Sequence, residues 1–207
     1  MSETKLLFST LDKSINRIDP VADGGYFETR YVQRTEDTAI VYLSSASGCN
    51  KACRFCHLTQ TGQLYTTDVN KTEYRDTARA LLEEASRKND FSTVQNIHFN
   101  FMARGDVLSN MSFTTNVKGV LASLARVAKD FFPAATPRFK LSTVFPTDIN
   151  NGHMVSARNP AEYLQEALVD PVFNLRHEQG IDVEFYYSLY SLRPEFRKRW
   201  IPKAFDP

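Results

Sequence analysis

The sequence of 207 residues has no apolar run approaching the ~18–20 residues that a membrane-spanning helix needs, so we expect no membrane association. Its N-terminus, residues 1–5, has neither the basic start nor the long apolar stretch of a secretory signal, which predicts a cytoplasmic protein. An excess of charge of either sign is also absent, because 25 lysine and arginine residues face 24 acidic ones. The net charge of +1 excludes a strongly basic protein but leaves room for a local nucleic-acid patch.

Cysteine is scarce, because the chain has three, and all of them lie within eight residues, at Cys49, Cys53 and Cys56. An odd number is a poor basis for a disulfide framework, and no cysteine elsewhere in the chain could pair with these. The clustering instead indicates a shared ligand in a reducing compartment. The remaining composition, with 42% hydrophobic residues, is that of one folded domain.

Hydrophobic patterning predicts strands and helices in alternation. Residues 1–38 are expected to form a small N-terminal β extension, and residues 39–207 to form the core. Within the core, we predict strands at 39–45, 94–101, 139–144 and 181–189, and helices at 72–87, 115–132, 159–168 and 193–200. This alternation is typical of an α/β fold with about four parallel βα units, either an open sheet or a sector of a barrel. A closed eight-stranded barrel is excluded, because it usually needs ~250 residues.

The three cysteines follow the first core strand, at the end of the sheet where parallel α/β folds bind their ligands. Their C-x3-C-x2-C spacing brings three thiolates together from one loop, which suits an iron–sulfur cluster because cysteine is its usual ligand. A [4Fe–4S] cluster on three cysteines leaves one iron for an external ligand. The alternative is a zinc site, which needs a fourth ligand, and His57 is geometrically awkward beside Cys56.

This spacing, with the aromatic Phe55 between the last two cysteines, resembles the radical S-adenosylmethionine (SAM) superfamily. The resemblance implies a partial (β/α) barrel in which Cys49, Cys53 and Cys56 hold a [4Fe–4S] cluster. It also implies that the free iron binds the amino and carboxylate groups of SAM. One electron then breaks the sulfonium bond, and a 5′-deoxyadenosyl radical abstracts hydrogen. The implied redox partner is an electron donor such as flavodoxin or ferredoxin.

The segments after the later strands resemble a narrower family, the radical SAM methyltransferases that modify adenine in ribosomal and transfer RNA. Residues 102–110 (MARGDVLSN) resemble M-G-x-G-E-P-L-x-N, residues 140–144 (KLSTV) resemble V-S-T-S-G, and residues 187–191 (YSLYS) resemble I-S-L-H-A. In that family these segments contact SAM, and the acidic residue takes its ammonium group. The resemblance therefore implies SAM contacts at Gly105, Asp106, Ser142, Ser188 and Tyr190.

Two further cysteines that this family uses for methyl transfer have no counterpart here. Tyr42 occupies the position of one of them, and the position of the other lies beyond the matched segments. The family's N-terminal RNA-binding domain and its last two βα units are also absent from the chain. We therefore expect a radical SAM enzyme that acts on RNA or a nucleotide-like substrate, without methyl transfer by this chain alone, and we assign no catalytic residue. The alternatives are a radical SAM protein with another substrate, and a metal-stabilised subunit that needs a second chain to complete the barrel.

Overall fold

The computed structural model describes residues 3–147 and 165–204. Seven strands form one mixed sheet in the order of the sequence. The strands are β1 Lys5–Phe8, β2 Ile15–Pro20, β3 Tyr26–Thr35, β4 Thr38–Leu43, β5 Asn96–Phe101, β6 Thr136–Thr143 and β7 Asp182–Tyr187. Strands β1 to β4 pair antiparallel and strands β4 to β7 pair parallel. The expected α/β class is confirmed, and over the described residues the sheet is open, with β1 and β7 at its edges.

Helices connect the parallel strands. They are α1 His57–Gln60, α2 Lys71–Ser86, α3 Met111–Thr114, α4 Val117–Phe131, α5 Asp170–Gln179 and α6 Pro194–Trp200. Helix α2 begins with a capping box, in which Asn70 Oδ1 accepts hydrogen bonds from the backbone N–H groups of Thr72 (2.9 Å) and Glu73 (3.0 Å). No helix in the described ranges is long and apolar enough to cross a membrane.

The hydrophobic core lies between one face of the sheet and helices α2, α4 and α5. Val41, Phe99 and Phe139 are in register on neighbouring strands, and all three are fully buried on this face. Helices α2 and α4 contribute apolar residues at helical spacing, namely Ala78, Leu81, Leu82, Ala85, Val117, Val120, Leu121, Leu124 and Val127. The strand period and the helical period that predicted these elements therefore have one cause, which is burial in a shared core.

Successive strand residues point to opposite faces of the sheet, and those that point away from the core form a polar face. One row of side chains in register crosses six strands on this face: Asn16, Arg30, Tyr42, Asn100, Lys140 and Glu184. Arg30 and Tyr42 line a cavity of about 570 Å³ there, together with Glu28 and Ala103. The polar face thus leads towards the carboxyl ends of β4 and β5, where the candidate site lies.

The chain between β6 and β7 differs from the sequence-based expectation. Residues 148–164, which include most of the helix expected at 159–168, lie outside the described residues. Helix α5 (170–179) was not predicted; it packs with Val172 and Leu175, whereas its Phe173 is 60% exposed. Gly180 ends the helix in the left-handed conformation, at a φ of 63°.

Candidate functional site

A cavity of about 260 Å³ lies at the carboxyl ends of the parallel strands. Its wall contains seven of the eight residues to which the sequence assigns ligand contacts: Cys49, Cys53, Cys56, Gly105, Asp106, Ser142 and Ser188. These residues come from four separate segments, and each segment follows or ends one of the strands β4 to β7. The structure therefore brings these seven residues to one cavity wall, and their contacts with a ligand stay a prediction.

Backbone hydrogen bonds fix the cysteine loop. The Cys49 N–H donates to the Gln63 carbonyl at 3.0 Å, and the Cys56 N–H donates to the Cys53 carbonyl at 2.9 Å, which closes a tight turn. Ala52 adopts a left-handed φ of 59°, a conformation that residues with a side chain rarely take. The loop therefore has a defined shape that turns its three thiols towards the same cavity.

The thiols lie in an environment that disfavours their ionised form. Burial, together with the neighbouring Cys49, Cys56 and Asp106, raises the pKa of Cys53 to about 12. Burial also raises the pKa of Cys49. The three cysteines are thus within electrostatic reach of one another.

A single metal ion would need several donor side chains close together. Across residues 3–147 and 165–204, no three histidine, cysteine, aspartate or glutamate side chains form a group that could hold a metal ion. The chemistry of the donors, three cysteines on one cavity wall, nevertheless fits an iron–sulfur cluster. Each thiolate of such a cluster binds a different iron, so its sulfur atoms need not surround a single point.

Asp106 connects the ends of strands β5 and β6. Its carboxylate is 7% exposed and accepts hydrogen bonds from Thr143 Oγ1 (2.8 and 3.0 Å) and from the Val144 N–H (2.8 Å). It also accepts one from the Leu108 N–H at 3.0 Å, which caps the short helical turn Val107–Ser109. Burial raises the pKa of Asp106, and these donors act in the opposite direction. Asp106 lines the cavity as expected, and it has a structural role that the sequence did not indicate.

The two residues before Asp106 hold the cysteine loop against the sheet. Gly105 has a φ of 78°, and a Cβ atom there would lie 2.8 Å from the Ala46 nitrogen, so only glycine fits. The Arg104 guanidinium is buried and donates to the Ser47 carbonyl from Nε (3.1 Å) and Nη2 (3.0 Å). Sequence analysis did not identify Arg104, because its partner Ser47 is distant along the chain.

Lys51 is a second residue that the sequence did not single out. It lies between Cys49 and Cys53 in the loop, it is buried, and it lines the cavity. Burial raises the pKa of both Asp68 and Asp106, and the positive charge of Lys51 opposes this increase at each carboxyl group. The cavity therefore contains buried groups of both signs of charge.

Tyr190 is the one expected ligand residue that does not line the cavity. Its backbone has a left-handed φ of 60°, and its ring stacks on Phe55 with 4.6 Å between the ring centres. Phe55 does line the cavity. The Phe55 ring therefore lies between Tyr190 and the cavity. A direct contact with a cofactor in the cavity would have to come from Phe55.

Comparison with known proteins gives one distant structural similarity. No protein-family model matches the chain, and no curated protein matches it. A solved structure, a radical SAM methyltransferase from Sphaerobacter thermophilus, is similar with a TM-score of 0.37 and 14% sequence identity. The alignment covers 91% of this chain and 78% of that one. A similarity at this level does not assign the chain to a family.

Proposed function

We propose that the protein is a radical SAM enzyme in which Cys49, Cys53 and Cys56 hold a [4Fe–4S] cluster. The observation that carries the proposal is the position of all three cysteines on one cavity wall with Gly105 and Asp106, at the carboxyl ends of parallel strands. When bound, such a cluster supplies the single electron that cleaves SAM to methionine and a 5′-deoxyadenosyl radical. A partial barrel built on the open sheet is part of the same proposal.

The protein's own residues would bind and orient SAM. The methionine end of SAM carries an ammonium and a carboxylate group, and the cavity offers the Asp106 carboxylate and the Lys51 ammonium as complementary charges. Ser142 and Ser188 lie on the wall formed by the ends of β6 and β7, where their hydroxyl groups would donate hydrogen bonds to the ligand. Asp106 and Lys51 are both buried, and charged hydrogen bonds are stronger in such surroundings than in water.

The substrate that we propose is RNA or another nucleotide-like molecule, and the proposed electron donor is a flavodoxin or a ferredoxin. The polar face of the sheet, with Arg30 and Tyr42, adjoins the cysteine-lined cavity through Ala103, which borders both cavities. Tyr42 stands at the position of one of the two family cysteines, and its phenol is a poor substitute for a thiolate. We therefore propose that this chain alone does not methylate adenine, and that a second chain would have to supply the missing cysteines.

Anaerobic reconstitution with iron and sulfide tests the cluster. We expect a broad absorption band in the visible blue and an electron paramagnetic resonance signal that changes when SAM is added. Cys53→Ala should abolish both signals, because two thiolates do not hold the cluster. His57→Gln is the matched control and should retain them, because His57 is adjacent to Cys56 but is not one of the proposed cluster ligands. Stoichiometric zinc without iron would refute the proposal and favour a metal-stabilised subunit.

The products of SAM distinguish the proposed chemistries. After reduction, 5′-deoxyadenosine indicates radical cleavage, whereas S-adenosylhomocysteine indicates methyl transfer. We expect 5′-deoxyadenosine and no methylated adenine when the chain is incubated with SAM, reductant and ribosomal RNA. Mass spectrometry of the RNA provides the measurement, and methylated adenine formed by this chain alone would contradict the role given to the missing cysteines.

A further inference from the structure

Four aromatic rings form a stacked series beside the mouth of the cavity, and we call this series the aromatic surface: Phe55, Tyr190, Phe196 and Trp200. The ring centres of Phe55 and Tyr190 are 4.6 Å apart with 23° between the ring planes. Those of Tyr190 and Phe196 are 5.7 Å apart at 28°, and those of Phe196 and Trp200 are 5.9 Å apart at 24°. All three contacts are offset, nearly parallel stacks rather than the edge-on contacts common in protein cores.

The aromatic surface is exposed although its residues are apolar. Phe55 is 42% exposed, Tyr190 is 51% exposed and Phe196 is 40% exposed. Large aromatic side chains that remain accessible as a contiguous group are typical of binding sites. Tyr190 adopts a left-handed φ of 60°, a conformation that residues with a side chain rarely take.

Two contacts hold this surface in place. The Arg54 N–H donates to the Trp200 carbonyl at 2.9 Å, which ties the cysteine loop to helix α6. Arg197 is buried and donates to the Leu189 carbonyl and to Tyr187 Oη, which ties α6 to the end of β7. The rings are therefore brought together from distant parts of the chain by hydrogen bonds of the protein itself.

The charge around the aromatic surface is positive. Arg54, Arg193, Lys198 and Arg199 are all exposed and lie within three residues of one of its rings along the chain, and Glu195 is the acidic residue of helix α6. Residues 190–203 contain five basic residues and one acidic residue, in a chain whose net charge is +1. The positive charge is thus concentrated in this segment, which complements a polyanion.

We propose that the aromatic surface binds single-stranded nucleic acid, with bases stacked on its rings and phosphates held by the surrounding basic residues. Flat exposed rings combined with basic side chains are the two features by which proteins bind single strands without reading their sequence. An acidic protein partner would use the basic residues but would have no need of exposed, mutually parallel rings. Phe55 belongs to both the aromatic surface and the cavity wall, so the bound strand ends at the mouth of the cavity.

This inference depends on the proposed function in one respect, which is that the bound nucleotide would be the substrate of the cavity. Binding itself needs neither iron nor SAM, so it can fail while the cluster forms, or succeed while the cluster does not. The experiment therefore uses the full chain as purified, without iron, sulfide or SAM.

Trp200 provides the signal because it is the one tryptophan in the sequence. A twelve-nucleotide single-stranded oligoadenylate RNA is titrated into the protein, with tryptophan emission and the anisotropy of a dye-labelled oligonucleotide as readouts. We expect saturable quenching of Trp200. Tyr190→Leu and Phe196→Leu, which keep apolar volume but remove the ring, should each weaken binding about tenfold. Phe173→Leu is the matched control, because Phe173 is 60% exposed on helix α5 outside the aromatic surface, and it should bind as the parent does.

Several results would overturn the inference. The first is equal RNA binding by the leucine variants and the parent when circular dichroism shows all of them to be folded. The second is binding of an abasic oligonucleotide of the same length as tightly as the RNA. The third is no binding of the RNA at low salt. Quenching by an acidic ferredoxin but not by the RNA would also overturn it, because the surface would then be a protein-docking site.

Discussion

Replacement of Arg104 tests whether one buried guanidinium fixes the cysteine loop to the sheet. Arg104 is 3% exposed, donates to the Ser47 carbonyl from two nitrogens, and donates from Nη2 to Gln63 Oε1 at 2.7 Å. Its guanidinium carbon also lies 3.7 Å from the centre of the Tyr26 ring. These contacts join the residues immediately before Cys49 to the end of β5 and to the start of β3.

The magnitude follows from what Arg104→Ala removes. Hydrogen bonds from a charged donor contribute roughly 1.5–3 kcal/mol each, and a desolvated cation over an aromatic ring contributes ~2 kcal/mol. The Ser47 carbonyl keeps the N–H of Tyr26 as a donor, at 3.1 Å, which limits the loss. Because these contributions overlap, we expect Arg104→Ala to lower the free energy of unfolding by about 2–4 kcal/mol, and Arg104→Lys by about half of that.

Urea unfolding followed by circular dichroism and by Trp200 fluorescence measures this change. The matched control is Arg79→Ala, because Arg79 pairs with Asp130 on the surface and its loss should cost less than about 1 kcal/mol. In the folded variant, buried Cys53 should also react faster with a thiol reagent, because the loop is released. Equal urea midpoints for the Arg104→Ala and Arg79→Ala variants, with unchanged labelling of Cys53, would refute the reasoning.

Three further predictions concern single side chains. Gly105→Ala should lower the free energy of unfolding by about 1–3 kcal/mol, measured in urea, because the new Cβ would lie 2.8 Å from the Ala46 nitrogen at a left-handed φ; an unchanged midpoint would contradict the close approach. Asp106→Asn should lower the urea midpoint, because an amide presents one acceptor oxygen to donors that now bind two carboxylate oxygens. Under the proposed function, the same variant should bind SAM more weakly in calorimetry while the cluster spectrum persists. His98→Gln should flatten the dependence of the melting temperature on pH. Burial, then the positive charges of Lys140 and Arg138, lower the pKa of His98, so the folded state favours neutral imidazole and loses stability as the pH falls below roughly 6.5. An equally steep loss in the His98→Gln variant would assign this dependence to other groups.

The elements that the sequence predicted well are those whose pattern is set by the core. Strands β4, β5 and β6 and helices α2 and α4 each bury a complete face, so their apolar residues recur at the period of the element. Helix α5 was missed because it buries only Val172 and Leu175 and leaves Phe173 exposed, which weakens the helical period. Local pattern therefore predicts an element only as far as the core imposes that pattern.

Those parts of the candidate site that depend on strand order could be predicted from the sequence. Those that depend on tertiary contacts could not. The cysteine spacing and the rule that ligands bind at the carboxyl ends of parallel strands predicted where Cys49 lies, and the family resemblance added Gly105 and Ser142, which line the same cavity. The sequence gives no sign that the backbone of Tyr190 turns its ring onto Phe55. It likewise does not reveal the contacts of Arg104, because they join segments that are far apart along the chain.

The change from antiparallel to parallel pairing at β4 also orders the events of folding. Strands β1 to β4 form a meander in which each pair is joined by a short turn, so their pairing requires little loop closure. The partners across β4, β5, β6 and β7 lie about 40–60 residues apart, and closing loops of that length costs more chain entropy before any contact forms. The meander also leaves the ribosome before the parallel half, so we expect it to provide the template onto which the parallel half assembles. The cysteine cavity, built from the ends of four strands, is the last part of the molecule to be completed.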